Sequence, residues 1–133
     1  MFIVIDYARH YFASVAKMSV PDKLSGKFVQ IRKGKTEYLI FAPTVVAPYH
    51  ADIVERFCFE KGLGGSSGGE GKRFDIREPG WVVVGGGKFE MDRARKSIRL
   101  YGDSKAYGAF DAKRLKEKIP ETEELSEYEV DLA

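Results

Sequence analysis

The stretch Lys27-Phe28-Val29-Gln30-Ile31-Arg32-Lys33-Gly34-Lys35-Thr36-Glu37-Tyr38-Leu39-Ile40-Phe41 decides the fold class. Two runs rich in β-branched and aromatic residues flank a Lys-Gly-Lys-Thr turn, which is the pattern of a β-hairpin. The second arm ends in four consecutive apolar residues, Tyr38 to Phe41, and so predicts a strand buried on both faces of a sheet. After Pro43 and Pro48, residues His50 to Gly62 carry helical periodicity, with His50, Ile53, Val54, Phe57, Cys58 and Lys61 on one face. Trp81 to Val84 is another apolar run, continuing through Gly85-Gly86-Gly87 into Lys88-Phe89-Glu90-Met91. Asp92 to Lys96 reads as a charged turn and Ser97 to Tyr101 as the returning strand. A helix is expected from Ala109 to Lys118, with Ala112, Leu115 and Ile119 inward, Arg114 and its lysine neighbours solvated, and Pro120 as the stop. Tyr128 to Leu132 alternates as a strand with one wet face. Upstream, residues 2 to 5 read as a short strand, Tyr7 to Met18 as a helix with Tyr7, His10, Tyr11, Ser14, Val15 and Met18 at helical spacing, and Pro21 and Ser25-Gly26 as breaks. About six strands and two or three helices, with no repeat, predict one α/β or α+β layered domain over residues 1–133.

Composition narrows the function classes. With 22 Lys+Arg against 20 Asp+Glu, the formal charge of +2 lacks the basic excess typical of a nucleic-acid binder. Cys58 is the only cysteine, which excludes an internal disulfide and a multi-cysteine metal cage. The apolar start ends at Asp6, too soon for a signal h-region, and no span approaches the roughly 20 apolar residues of a membrane helix. A soluble cytoplasmic protein is therefore expected. Gly62 to Gly71 holds six glycines and two serines, which predicts a flexible surface loop extending to about residue 72. It lacks the order of a phosphate-binding P-loop.

Three separated stretches carry the chemistry. In Tyr49-His50-Ala51-Asp52 an imidazole stands at a helix start, where the dipole lowers its pKa and free N–H groups suit an oxyanion. A partly buried capping histidine would occupy the same place. Gly85-Gly86-Gly87-Lys88 is either a strand-bending bulge or bare backbone against a ligand, with Lys88 adding charge. Ser104-Lys105-Ala106-Tyr107-Gly108 joins strand to helix, where main-chain donors can cradle an anion. It could equally be an ordinary turn. Cys58 is eight residues beyond His50, about 12 Å along the helix, and reads as packing. Asp52 and Asp103 are weak evidence for acid/base work, and no His/Asp/Glu cluster has metal-ligand spacing.

In this order and spacing, Tyr49-His50-Ala51-Asp52-Ile53, the triple glycine with Lys88, Tyr101-Gly102-x-Ser104-x-Ala106-Tyr107-Gly108, Lys116-x-Lys118 and Tyr128-Glu129-Val130 resemble the protein phosphohistidine phosphatase (janus/ocnus) family. The resemblance runs from about Val20 to Val130. It implies a mixed six-stranded sheet between two main helices, with residues 1–19 as an N-terminal addition. It also implies hydrolysis of the phosphoramidate bond of phosphohistidine, without metal or cofactor, on a histidine-phosphorylated protein or a small phosphoramidate. His50 would be the catalytic residue, as nucleophile or general base. Lys27, Ala51, Lys88, Ser104, Lys105 and Ala106 would bind the phosphoryl group. Two departures stand out: Lys88 occupies a position where the family commonly has arginine, and the arginine that relatives carry before the Tyr-His-Ala-Asp motif is missing from Tyr38 to Phe41. The rival expectations are a phosphate- or phosphopeptide-binding module without turnover and, against the charge balance, a nucleic-acid domain using Arg93 to Arg99 and Lys113 to Lys118.

Overall fold

The computed structural model describes residues 1–132. Its main sheet has six strands: β1 (Phe2–Asp6), β2 (Lys23–Lys33), β3 (Thr36–Pro43), β6 (Trp81–Asp92), β7 (Ser97–Tyr101) and β8 (Glu129–Leu132), in the order β1-β3-β2-β6-β7-β8. The four inner strands are antiparallel to their neighbours, whereas β1 runs parallel to β3 and β8 parallel to β7, so the sheet is mixed as expected. Tyr38 to Phe41 are all buried, and alternate residues enter different cores. Leu39 and Phe41 pack with Phe28, Phe89, Ile98 and Leu100, beneath α1 (Ala8–His10) and α3 (Ala112–Lys118). Tyr38 and Ile40 pack with Val29 and Ile31 against α2 (His50–Lys61), through Ile53, Val54, Phe57 and Cys58. One sheet with helices on both faces is the α/β arrangement.

Several local expectations are corrected, although the short strand expected over residues 2 to 5 does form, as an edge strand in which Phe2 to Asp6 pair with Glu37 to Phe41. The helix after it spans Ala8–His10 and continues as a π-helical turn, Tyr11–Val15. The Asp6 carboxylate accepts from Ala8 N–H at its start; the segment buries Tyr7, Ala8 and Phe12, leaves Val15 in solvent and ends before the exposed Met18. Ser25-Gly26 does not break the chain but lies inside β2. A side chain at Gly26 would collide with the Ala42 carbonyl, so glycine permits the pairing there.

The glycine- and serine-rich segment carries a strand where a loop was expected. Gly65–Gly68 (β4) and Arg73–Ile76 (β5) form an antiparallel hairpin. Gly65 leaves room for the Phe74 ring, and its end is turned by Gly69, Glu70 and Gly71, all at positive φ. Finally, α3 begins at Ala112, three residues later than periodicity suggests. Ala109 instead bridges to Gly86, Phe110 packs edge-on against Phe28, and Asp111 caps the helix by accepting from Arg114 N–H. Ala112 is consequently exposed, while Leu115 and Ile119 are buried as expected. Arg114 is not simply solvated: with Arg32 it grips the buried Glu37 carboxylate, tying α3 to the β2-β3 hairpin.

Candidate functional site

His50 opens α2 because the chain arrives extended. Tyr49 has φ −123° and ψ 151°, and its N–H donates to the Asp52 carboxylate at 3.0 Å, which fixes the first turn. This turns the imidazole inward, where it is 8% exposed and rests on the triple glycine of β6. A Cβ at Gly86 would lie 2.8 Å from His50 Cδ2, so glycine is required for the ring to lie flat on the strand. Gly85 and Gly87 are equally hemmed in, by the Ala109 and Tyr101 carbonyls. Both readings of this run therefore contribute. The strand does carry a bulge at Val84, where the register against Gln30 and Ile31 slips, but the glycines themselves serve close approach, of neighbouring backbone and of His50.

One hydrogen bond sets the chemistry of the ring. His50 Nε2 lies 2.9 Å from the Gly87 carbonyl oxygen. A carbonyl can only accept, so the proton of the neutral imidazole is on Nε2 and the lone pair is on Nδ1. Nδ1 makes no hydrogen bond among the described residues and is not sealed in the interior. Burial is the main influence holding His50 below its ordinary pKa; Lys27 and Lys88 add to it, while the Gly87 bond and Asp103 oppose it. Near neutrality the ring is therefore neutral.

His50 lines a cleft of about 500 Å³ together with Lys27, Lys88, Lys105, Ala106 and a residue the sequence did not suggest, Lys72. Lys27 and Lys88 are direct cross-strand partners on β2 and β6. Like charges placed opposite each other are unfavourable in a sheet, so this pair suits an anion held between them. The Lys27 ammonium also donates to the Pro48 carbonyl, which places it beside the start of α2. Among the described residues none of these four lysines has a carboxylate partner within salt-bridge distance, whereas Arg32, Arg56, Arg73, Arg99 and Lys96 all do. Asp103 is the one acidic residue on the cleft wall.

The remaining sequence candidates lie behind this wall. Ser104 is 3% exposed and does not line the cleft. Its main chain exchanges hydrogen bonds with Gly108 in both directions, and its hydroxyl accepts from Tyr107 N–H at 3.1 Å. Ser104 thus builds the turn, and Lys105 and Ala106 are its surface. Their N–H groups have no partner among the described residues. Ala51 is buried under α2's first turn and is absent from the cleft lining. Lys72 went unnoticed in the sequence because it sits between Gly71 and Arg73 in a segment whose composition suggests disorder. A wider groove of about 620 Å³ follows β6 and β7 farther along the same face, but its lining of mixed charge, including Lys23, Glu90, Arg99 and Asp131, contains no histidine.

The model of the Janus/Ocnus family matches residues 13–129, most of the chain. The chain belongs to the Janus/Ocnus family. Within this member, the matched region contains the complete His50 cleft and the Gly-rich hairpin, while β1 precedes it. No curated protein matches the chain. Among the described residues no helix is long and apolar enough to cross a membrane.

Proposed function

We propose that this Janus/Ocnus protein is a phosphatase that hydrolyses the phosphoramidate bond of phosphohistidine in a protein or small-molecule substrate, with His50 as the reacting group. The observation that carries the reading is the Nε2–H bond from His50 to the Gly87 carbonyl, which leaves an unprotonated Nδ1 in a lysine-lined cleft. Lys27 and Lys88 hold the phosphoryl oxygens, and the N–H groups of Lys105 and Ala106, which have no partner among the described residues, donate to the same group. Ser104 supports that turn from behind.

Two routes use the Nδ1 lone pair. In one, Nδ1 attacks phosphorus, the P–N bond to the substrate imidazole breaks, that imidazole leaves protonated, and water then cleaves the new P–N bond to His50. In the other, Nδ1 takes a proton from the water whose oxygen attacks phosphorus, the P–N bond to the substrate imidazole breaks, and the proton held on His50 passes to the departing ring nitrogen. Either route places positive charge on the His50 ring, and this strengthens the Nε2–H bond to Gly87 as the charge develops. An interaction that tightens in the transition state accelerates the step. Rapid alkaline quench, which preserves a P–N bond, followed by mass analysis distinguishes the routes, because only the first leaves phosphate on the peptide containing His50.

The test is turnover of a phosphohistidine peptide in EDTA by the native protein and by His50→Ala. Turnover by the native protein, abolished in the variant, is expected. Equal rates would overturn the role of His50. Tight binding of phosphopeptide by both proteins without turnover would make the protein a binding module. The same assay set covers the nucleic-acid rival, which requires submicromolar DNA affinity that falls steeply with salt.

A further inference from the structure

The cleft holds more positive charge than a phosphoryl group needs. Four lysines face it with Asp103 as the only carboxylate, leaving three positive charges uncompensated. A phosphoryl group carries at most about two negative charges near neutral pH. Lys27 and Lys88, cross-strand partners on β2 and β6, both act on the titration of His50. Lys72 and Lys105 line the same cleft and come from different parts of the chain, the hairpin β4-β5 and the turn after β7.

Lys72 is held there by a built contact. Its neighbour Arg73 donates to the Ala106 carbonyl and stacks over the Tyr107 ring at 5.2 Å. The next residue, Phe74, exchanges two hydrogen bonds with the Tyr107 hydroxyl: its N–H donates at 2.8 Å and its carbonyl accepts at 2.6 Å. The hairpin is therefore clamped onto the same turn that carries Lys105 and Ala106. This clamp sets the spacing of Lys72 and Lys105 at the rim, which a freely moving glycine loop could not do.

We infer that Lys72 and Lys105 form an outer anion subsite that selects peptide substrates carrying an acidic residue next to the phosphorylated histidine. The inference rests on the phosphatase reading for its substrate class. The hairpin supplies the selectivity and β6 with α2 the chemistry.

The experiment compares two phosphohistidine peptides that differ only at the flanking residue, glutamate in one and alanine in the other. It is run on native protein, Lys72→Ala, Lys72→Glu and Lys72→Arg, and the readout is the ratio of kcat/KM for the acidic to the neutral peptide. Native protein should prefer the acidic peptide about five-fold, the size an exposed ion pair can reach, and added salt should reduce that ratio. Lys72→Ala should bring it to about one, Lys72→Glu should invert it, and Lys72→Arg should retain it. Lys72 is solvent-exposed, so none of these variants threatens folding. A native ratio near one, or a ratio unchanged in Lys72→Ala, overturns the subsite. If native protein cleaves neither peptide, the phosphatase reading fails on its own, and the subsite is then judged from the Kd ratio of the matching hydrolysis-resistant phosphonate peptides, by the same outcomes.

Discussion

Replacing Gly86 by alanine tests the seating of His50 directly. The added methyl would lie 2.6 Å from the Phe28 carbonyl oxygen and 2.8 Å from His50 Cδ2, roughly 0.8 and 0.6 Å inside ordinary contact. The first obstacle is backbone in the middle of the sheet and cannot rotate away, so the ring must yield. A displacement of this size breaks the 2.9 Å bond from Nε2 to Gly87 and removes the preference for that tautomer. Overpacking of this kind costs about 1–3 kcal/mol, which lowers Tm by roughly 3–15 °C in a chain of this length. The effect on chemistry should exceed the effect on stability, because misplacing a reacting group by about 1 Å costs on the order of 10²-fold in rate. Two measurements separate the effects. Nitrogen-15 NMR of the imidazole reports which nitrogen is protonated, independently of any activity, and should show Nε2–H in native protein and a tautomer mixture in the variant. Turnover of the phosphohistidine peptide, measured well below the variant's Tm, should fall about 10²-fold. A Gly86→Ala protein that folds, keeps the Nε2–H tautomer and retains native turnover would refute the account of the site.

Three further outcomes follow from the structure. Tyr107→Phe deletes both hydrogen bonds to Phe74, and amide exchange across residues 65–76 should quicken about tenfold or more while the central sheet stays protected; unchanged exchange would mean that the hairpin is held by other contacts. The double change Arg32→Ala with Arg114→Ala strands the Glu37 carboxylate, whose side chain is 3% exposed, and should cost about 3–5 kcal/mol in urea unfolding. Glu37→Gln should cost less, since the arginines it frees are about one-third exposed and can turn to water; the reverse order would contradict the ion-pair description. For pH, the folded protein holds His50 below the ordinary histidine value of about 6.5, so the unfolded chain takes up that proton first. Unfolding free energy should therefore fall as pH drops through about 6.5 and stop falling once the folded-state pKa is passed, and His50→Asn should remove this component. An identical pH slope in both proteins would show that His50 is not the group responsible.

The elements most legible in the sequence were those set by composition. Tyr38 to Phe41 had to be covered on both faces, and the run from Pro48 to Gly62 announced a helix with His50 at its start. The elements that were misread owe their conformation to distant partners. The Gly62-to-Gly71 stretch is ordered by pairing with Arg73 to Ile76 and by the Tyr107 hydroxyl, none of which is visible in its own glycines. Ala109 looked like the start of a helix, yet its carbonyl and strand-like bridge are committed to the β6 glycines. At the site, residue types pointed to His50, Lys88 and the Ser104-to-Gly108 turn, and the family resemblance added Lys27. They could not assign the proton on the ring, which depends on the Gly87 carbonyl, or reveal that Ser104 spends its polar groups inside its own turn.

The seat of His50 is made almost entirely of main chain: a carbonyl, a missing side chain and two tight neighbouring backbones. Such a seat offers few side chains for substitution to alter and tolerates no enlargement. The hairpin is the opposite case, attached beside its turn through the side chains of Arg73 and Tyr107. Substitutions in the hairpin leave the main-chain setting of His50 in place, so a grafted or redesigned β4-β5 segment is the natural place to alter the rim of the cleft while keeping the histidine where it is.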